Sequence, residues 1–182
     1  MNRIYILLAD GFEEVEALTP ADVFRRAGYE VLLVSVPGSP YVNGSHNIIV
    51  KTDIFLDDVD VDSGSMILLP GGLPGTNNLF ASERVKSLVL AFYERNKWVA
   101  AICAAPMILG ELGLLNGKEA TCYPGFEKHL HGAKLLESPT VTSGKVITGR
   151  SVGAAMAFSL EIVKNLTDEN AALELKKKMV VV

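Results

Sequence analysis

The sequence predicts an α/β fold, with a mostly parallel sheet and helices on both faces. Apolar runs alternate along the chain with segments of helical periodicity, and this alternation is typical of parallel strands joined by helical crossovers. The runs are continuously apolar, as expected for strands that are buried on both faces. A chain of 182 residues suits one hydrophobic core, so residues 1–182 are expected to form a single domain.

The predicted elements follow one another at short intervals. Strands are expected where apolar and β-branched residues run together, at residues 3–9, 29–36, 47–52, 65–69, 97–102, 119–123, 140–141 and 145–148. Helices are expected where apolar residues recur every three or four positions, at residues 13–27, 82–95, 104–112, 151–165 and 167–179. Gly28 should end the first helix, Pro20 should kink or divide it, and Thr167 should cap the last helix.

The first predicted helix has more apolar surface than one face of a sheet needs. Val15, Leu18, Val23 and Phe24 are expected on one side of it. A symmetric dimer that packs this helix against its copy would bury the excess. We therefore expect a homodimer.

Composition argues against several classes of function. Seventeen basic and twenty-one acidic residues give a net charge of −4, whereas binding nucleic acid needs a concentrated basic face. Two cysteines are too few for a disulfide scaffold and suit a reducing compartment. The longest apolar stretch, residues 98–109, contains Pro106 and is shorter than the roughly 20 residues that span a membrane. We expect a cytoplasmic protein with neither a nucleic-acid nor a membrane partner.

The carboxyl ends of the predicted strands are where a parallel α/β sheet binds ligands. Cys103 lies there, between an apolar strand and a helix that starts with two alanines, and a sharp turn of this kind lifts a nucleophile out of the sheet. The positive end of the helix should lower the pKa of the Cys103 thiol below its usual value of about 8.5. The alternative is a buried, inert cysteine.

Two other strand ends carry groups that can support a nucleophile. Gly71 and Gly72 leave the backbone bare, so their N–H groups can point at a developing oxyanion, although a simple tight turn is the alternative. Glu13, Glu14 and Glu16 follow the first strand. They either complement the helix dipole or include one carboxyl that turns inward to Cys103 and transfers protons.

The remaining candidates have simpler interpretations. The five aspartates from Asp53 to Asp62 are expected in a solvated loop, since they lack the spacing of a calcium-binding loop. His46, His129 and His131 are expected at the surface. No metal or organic cofactor is expected.

Cys122, the second cysteine, has two interpretations. It is either a small core residue whose thiol keeps an ordinary pKa, or a thiol near the pocket that becomes oxidised or resolves a sulfenic acid on Cys103.

Four motifs together carry a resemblance to a known family. GFEEVEALTPADVFRRAG, LPGG, AICAAP and TGRSVGAA occur in the order found in the ThiJ/PfpI superfamily. They resemble its branch of the Parkinson-disease-associated oxidative-stress protein and its small bacterial relatives. The resemblance implies a flavodoxin-like three-layer sandwich and a homodimer.

The resemblance also implies roles for individual residues. Cys103 falls on the nucleophile and Glu16 on the inward glutamate, while Gly72 and Ala104 fall on the oxyanion donors. Arg150 falls on the arginine of the TGR stretch. Gly71 is expected to line or support the substrate pocket beside these residues.

Two further positions bear on the pocket. His46 belongs to a side hairpin that in this family approaches the partner subunit's pocket. Tyr123 departs from the family pattern, because it stands where relatives often carry a histidine near the cysteine. Tyrosine, with a pKa near 10, is a poor base at neutral pH, but it can donate a hydrogen bond.

The resemblance implies a cysteine-dependent enzyme that acts on small reactive carbonyls, as a glutathione-independent glyoxalase, a protein deglycase or both. The alternative is a redox-sensing, chaperone-like stress protein that uses an oxidisable Cys103. A cysteine peptidase is the weakest hypothesis, since Tyr123 replaces the histidine base. A glutamine amidotransferase is disfavoured because the cysteine lacks G-x-C-x-G surroundings.

Overall fold

The computed structural model describes residues 2–181, and these contain eleven strands and six α-helices. The strands are Arg3–Leu8 (β1), Glu30–Ser35 (β2), Tyr41–Asn43 (β3), Ile49–Lys51 (β4), Ile54–Phe55 (β5), Met66–Leu69 (β6), Trp98–Ile102 (β7), Glu119–Ala120 (β8), Lys134–Leu135 (β9), Thr140–Ser143 (β10) and Val146–Gly149 (β11). The helices are Glu14–Arg26 (α1), Gly75–Ala81 (α2), Glu83–Glu94 (α3), Pro106–Glu111 (α4), Ala155–Leu166 (α5) and Glu169–Lys178 (α6).

Seven strands form the central sheet, in the order β10-β11-β7-β6-β1-β2-β5. All neighbours pair in parallel except β10 and β11, which form an antiparallel hairpin at one edge. The strands β1, β6 and β7 occupy the middle, and their side chains are almost entirely buried, as the continuous apolar runs predict. The predicted parallel sheet is confirmed.

Helices cover both faces, so the domain has three layers. Alternate residues of β1 face opposite sides: Ile4 and Ile6 pack with α1, α5 and α6, whereas Tyr5 and Leu7 pack with α3 and α4. Each face therefore has its own apolar cluster. Among the described residues, no helix combines the length and apolar character needed to cross a membrane.

The first helix differs from its prediction in two ways. It runs without a break through Pro20, whose buried ring packs on the sheet side. Val23 and Phe24 are fully buried, but Val15 is 45% exposed and Leu18 is half-buried. Val15 and Phe24 are nine residues apart, which at about 100° per residue places them on opposite sides of a helix. The sequence predicts these four apolar residues on one side of the helix, and the structure shows that they do not share one face.

Other corrections concern the ends of helices and two short elements. The helix predicted from residue 104 begins at Pro106, because residues 103–105 form a turn. The last helix is capped by Asp168, which accepts a hydrogen bond from the Ala171 N–H at 2.8 Å, while the Thr167 hydroxyl bonds to Tyr29. The sequence did not predict α2, β5 or β9, and β5 lies within the aspartate-rich segment that was expected to be a solvated loop. The side hairpin, β3 with β4, is where the turn residues predict it.

Removal of this cap tests the corrected start of α6. Asp168→Ala should lower the free energy of unfolding by about 1 kcal/mol, because the first turn loses its acceptor. Asp168→Asn keeps a capping oxygen and serves as the matched control, with a change of a few tenths of a kcal/mol. Urea denaturation followed by circular dichroism measures both. Equal stability of the alanine and asparagine variants would show that this cap contributes nothing.

Candidate active site

Cys103 lies on a strained turn directly after the central strand β7. Its φ angle is +67°, in the left-handed region that residues with side chains rarely adopt. Two backbone hydrogen bonds hold the turn: the Cys103 N–H donates to Gly149 O at 2.9 Å, and Cys103 O accepts from the Tyr123 N–H at 2.7 Å. The predicted elbow is present, although a turn and not a helix follows the strand directly, and the thiol is partly exposed.

Glu16 brings a carboxyl to this thiol from α1, on which it is fully buried. Its Oε2 accepts a hydrogen bond from the Gly71 N–H at 2.9 Å. Its Oε1 has no partner of good hydrogen-bond geometry, and the Cys103 thiol interacts with this carboxyl group. The predicted convergence of Glu16 and Cys103 is therefore present in the structure.

Gly71 is required for this contact by sterics rather than by backbone conformation. A Cβ atom there would lie 2.6 Å from Glu16 Oε2 and 2.7 Å from Cys103 Cβ. Both distances are too short for non-bonded atoms. The bare backbone at this position therefore lets the carboxyl and the thiol approach each other.

The pKa of Glu16 is raised to about 7, mainly by burial and to a smaller extent by the Glu13 carboxylate, against the hydrogen bonds of Cys103 and Gly71, which lower it. A carboxyl of this kind is partly protonated at neutral pH, as a group that both accepts and donates protons must be. The pKa of Glu16 rises because ionisation would place a negative charge in an apolar site instead of in water.

The Cys103 thiol behaves differently from its prediction. Burial and the ionised Glu16 carboxylate raise the pKa of Cys103 to about 12, whereas the backbone N–H groups of Ala104 and Gly72 lower it. Two anions in contact repel each other, so the thiol keeps its proton at neutral pH while the carboxyl titrates near 7, and the two groups titrate as a coupled pair. The expected helix contribution is absent, since α4 has only six residues and begins three positions later.

The two backbone donors lie where the resemblance implies an oxyanion site. The N–H groups of Gly72 and Ala104 both act on the thiol of Cys103, since both lower its pKa. Gly72 has a φ of +90°, and a Cβ on it would lie 2.4 Å from the Glu13 nitrogen, so only glycine fits this turn. The arrangement supplies two donors beside a nucleophile, one from each of two neighbouring strand ends.

Tyr123 and Arg150 contribute less directly than expected. The Tyr123 backbone supports the elbow, but its side chain is 46% exposed and packs edge-on against Phe126. Arg150 lines a separate cavity together with Cys122, with its guanidinium 4.0 Å from Glu137. The pocket roles of Tyr123 and Arg150 stay predictions.

Cys122 is 3% exposed and belongs to the apolar cluster on the α3 and α4 face, whereas Cys103 packs against the cluster on the opposite face. This confirms the interpretation as a core residue and does not support a resolving thiol. Burial, with a smaller contribution from Glu127, raises the pKa of Cys122 to about 11. The expectation of an ordinary pKa is therefore wrong.

His46 is exposed on the side hairpin and reaches the start of α1. Its Nδ1 lies 2.8 Å from Oε2 of the buried Glu14 and 3.6 Å from Glu13. Burial opposes ionisation of Glu14, but hydrogen bonds from the side chain and backbone of His46 lower its pKa to about 2. The contact with Glu14 raises the pKa of His46.

This contact between hairpin and helix was not predicted from the sequence. Glu13, Glu14 and His46 offer three atoms able to bind a metal within 4.8 Å of one another. A hydrogen bond joins His46 to Glu14, and the Ser45 hydroxyl donates to both carboxyl groups. His129 pairs with Glu111 at 2.8 Å on the surface, and His131 is exposed, as predicted.

The fold and site together define an α/β protein with an elbow cysteine, a buried proton-sharing carboxyl and two backbone donors at the carboxyl edge of a parallel sheet. The chain belongs to the DJ-1/PfpI family, whose pattern matches residues 2–165. Protein DJ-1 homolog B of Arabidopsis thaliana is 36% identical over 98% of this chain and 41% of that protein. The chain thus spans less than half the length of this relative.

Two relatives that are similar in length to this chain carry names that describe an activity. A deglycase of Pyrococcus abyssi is 31% identical over 90% of this chain and 99% of its own length. A protein of Bacillus subtilis that is provisionally named a cysteine protease is 34% identical over 88% of this chain and 95% of its own length. Among solved structures, oxidized DJ-1 of Toxoplasma gondii matches with a TM-score of 0.94 and 29% identity, over 99% of this chain and 98% of that one.

The proton-sharing pair predicts how alkylation of Cys103 depends on pH. Glu16→Gln removes the carboxylate that raises the thiol pKa, so the midpoint of the alkylation rate against pH should move to lower pH. Mass spectrometry of iodoacetamide-treated protein measures the modification at Cys103 by itself. Glu94→Gln, on an exposed carboxyl of α3, is the control and should leave the midpoint in place. An unmoved midpoint in Glu16→Gln would show that the two groups do not interact.

Proposed function

We propose that this protein is a cofactor-independent enzyme that converts small reactive carbonyls to hydroxy acids and acts on their amine adducts. The single observation that carries the proposal is the contact of the elbow thiol of Cys103 with a carboxyl, Glu16, whose pKa is about 7. Such a pair combines a nucleophile with a group that can both take and return a proton near neutral pH. The deglycase name of the Pyrococcus abyssi relative supports the same class of substrate.

The first step is attack of the Cys103 sulfur on the aldehyde carbon of a 2-oxoaldehyde such as methylglyoxal. A carbon–sulfur bond forms as the C=O π bond breaks, and Glu16 holds the thiol proton. The resulting oxyanion is stabilised by the N–H groups of Gly72 and Ala104. Glu16 then gives this proton to the oxyanion, so the product of this step is a neutral hemithioacetal and the Glu16 carboxylate is free to act again.

Glu16 then moves a proton between the two carbons. Its carboxylate removes the hydrogen of the former aldehyde carbon as a proton, which gives an enediol. It then returns a proton to the neighbouring carbon. This leaves a thioester of the 2-hydroxy acid, and water cleaves it to release the acid and restore the thiol. No oxidant is needed, because one carbon is oxidised as its neighbour is reduced.

The same attack applies to an adduct of a carbonyl with an amine. The sulfur replaces the nitrogen on the carbon, and the amine leaves with a proton. A deglycase and a glyoxalase thus share the hemithioacetal and differ in the group that departs. Both activities are consistent with the pair Cys103 and Glu16.

Redox sensing is a second candidate, favoured by the partial exposure of Cys103 and by a neighbouring carboxyl whose protonated form can donate to an oxidised sulfur. In this case the protein would report peroxide and protect other proteins as a chaperone does. A peptidase remains the weakest candidate, since the position that would supply a histidine base is Tyr123, whose ring is directed to Phe126.

We also propose that the protein is a homodimer, formed around the exposed apolar residues of α1 and the side hairpin. Val15 and Ile48 are 45% and 51% exposed, and Leu18 is half-buried, all on elements joined through the contact between His46 and Glu14. A second copy would cover this surface and place His46 near the neighbouring Cys103.

A cytoplasmic location and the absence of a nucleic-acid partner remain predictions.

The activity is tested with methylglyoxal and a lactate assay. The wild type should form lactate with saturation kinetics, Cys103→Ser should lose at least ~100-fold in kcat/KM, and Glu16→Gln should lose most of its turnover. Cys122→Ser is the matched control and should retain activity. A wild type that forms no lactate but is oxidised at Cys103 by peroxide would reject the enzyme in favour of the sensor.

The dimer is tested by sedimentation at micromolar concentration. Leu18→Lys should produce monomers with lowered activity, since burying an unpaired charge in an interface costs several kcal/mol. Leu173→Lys, a similar change on the exposed side of α6, should leave the dimer intact. A monomeric wild type with full turnover would contradict the proposal.

A further inference from the structure

Three side-chain atoms able to bind a metal lie together where the side hairpin meets the start of α1, and the proposed reaction does not use them. His46 Nδ1 is 2.8 Å from Glu14 Oε2 and 3.6 Å from Glu13 Oε2, and all three atoms lie within 4.8 Å of one another. Bonds of about 2.1 Å to one metal ion place neighbouring ligand atoms roughly 3.0 to 3.5 Å apart. The three atoms are therefore spaced like one side of a coordination shell.

The charges in this cluster favour a cation. Two carboxylates face one imidazole, and the side chains of Glu14 and Glu13 are only 5% and 16% exposed, so water screens their repulsion poorly. The Ser45 hydroxyl lies 3.2 Å from both carboxylates, but its single proton can satisfy only one of them at a time. A divalent cation bound with a neutral imidazole would balance both negative charges.

Backbone groups orient the buried carboxylate toward the imidazole. Glu14 Oε1 accepts the His46 N–H at 2.7 Å and the Ile48 N–H at 3.5 Å, which leaves Oε2 facing His46 Nδ1. A Cβ on Gly44 would overlap Glu14 Oε1, so the bare backbone there lets the hairpin close over this carboxylate. Outer contacts of this kind orient a metal ligand before the ion binds.

The exposed side of the cluster gives an ion access to it. The His46 side chain is 69% exposed, so an ion reaches Nδ1 from solvent, and the proton between Nδ1 and Glu14 Oε2 leaves as the ion binds. One imidazole nitrogen with two carboxylate oxygens suits zinc. Calcium and magnesium prefer oxygen ligands alone, and copper(I) prefers sulfur.

We propose that Glu13, Glu14 and His46 form a zinc-binding site that joins the side hairpin to α1. Water completes the coordination of the ion on its exposed side. All three ligands belong to one chain, so the site depends neither on the proposed reaction nor on the proposed dimer. The sequence predicts no metal here, because the hairpin brings His46 to a glutamate 32 positions earlier in the chain.

The first test is a titration of the full-length protein with zinc chloride, followed by NMR of the imidazole nitrogens. Zinc should shift the Nδ1 resonance of His46 before it affects the rings of His129 and His131, and magnesium chloride should leave all three rings unchanged. An unshifted His46 at saturating zinc, an equal response to magnesium, or a response that begins at His129 would each overturn the proposal.

Variants separate these ligands from the thiol and from the other histidine pair. Cys103→Ser removes the exposed thiol, and calorimetry of this variant should still show zinc binding. In the same background His46→Ala and Glu13→Gln should each weaken the binding by roughly 100-fold, since each removes a ligand. His129→Ala is the matched control, because His129 pairs with Glu111 at the same distance of 2.8 Å, and it should bind zinc as before.

Circular dichroism shows whether each variant is folded. Undiminished zinc binding by a folded His46→Ala or Glu13→Gln would refute the proposed ligands, as would loss of binding in His129→Ala. If either ligand variant fails to fold, the imidazole spectra of the wild type still decide the proposal.

Discussion

The contact between the buried Glu16 carboxyl and the Cys103 thiol is the interaction on which the rest of the site depends. It places two acidic groups where both cannot be ionised at neutral pH, and it therefore creates a group that can move a proton. The contact carries a cost, since Glu16 is removed from water and Cys103 holds a left-handed backbone. Such costs persist only where the surrounding structure compensates for them.

That compensation comes from three adjacent strands of the sheet, β11, β7 and β6. β7 delivers Cys103, β11 supplies Gly149 O to its N–H, and the loop after β6 supplies the Gly71 N–H to Glu16. Each support is a backbone group on or next to a buried strand, so its position is determined by the sheet rather than by mobile side chains. The same rigidity explains why the bare backbone of glycine is needed at residues 71 and 72, where there is no space for a Cβ.

The loops around the site are joined to each other by further backbone contacts. The Glu13 N–H donates to Gly71 O at 2.9 Å, and the bridge between Phe12 and Gly44 links the first loop to the side hairpin. The buried Glu14 adds an electrostatic contact to the exposed His46. The start of α1 therefore couples the hairpin to the residues around Cys103, and a partner subunit on the hairpin would lie close to the site.

Local patterns in the sequence determined much of this protein. Continuous apolar runs predict the buried strands, the junction before two alanines predicts the elbow at Cys103, and paired glycines predict the bare turn at residues 71 and 72. Each of these depends on residues adjacent in the chain, whose preferences for strand, turn or helix act over a few positions. The motifs also carried the resemblance to the family that the comparisons established.

Tertiary structure alone decided the features that depend on distant parts of the chain. The pKa of Cys103 is raised rather than lowered because folding buries the thiol and brings to it the carboxyl of Glu16, 87 positions earlier. Arg150 lines the cavity of Cys122, and Asp168 rather than Thr167 caps α6, since Thr167 ends α5 and its hydroxyl bonds to Tyr29. Burial, charge and hydrogen-bond competition are set by what folding brings together, and no local pattern encodes them.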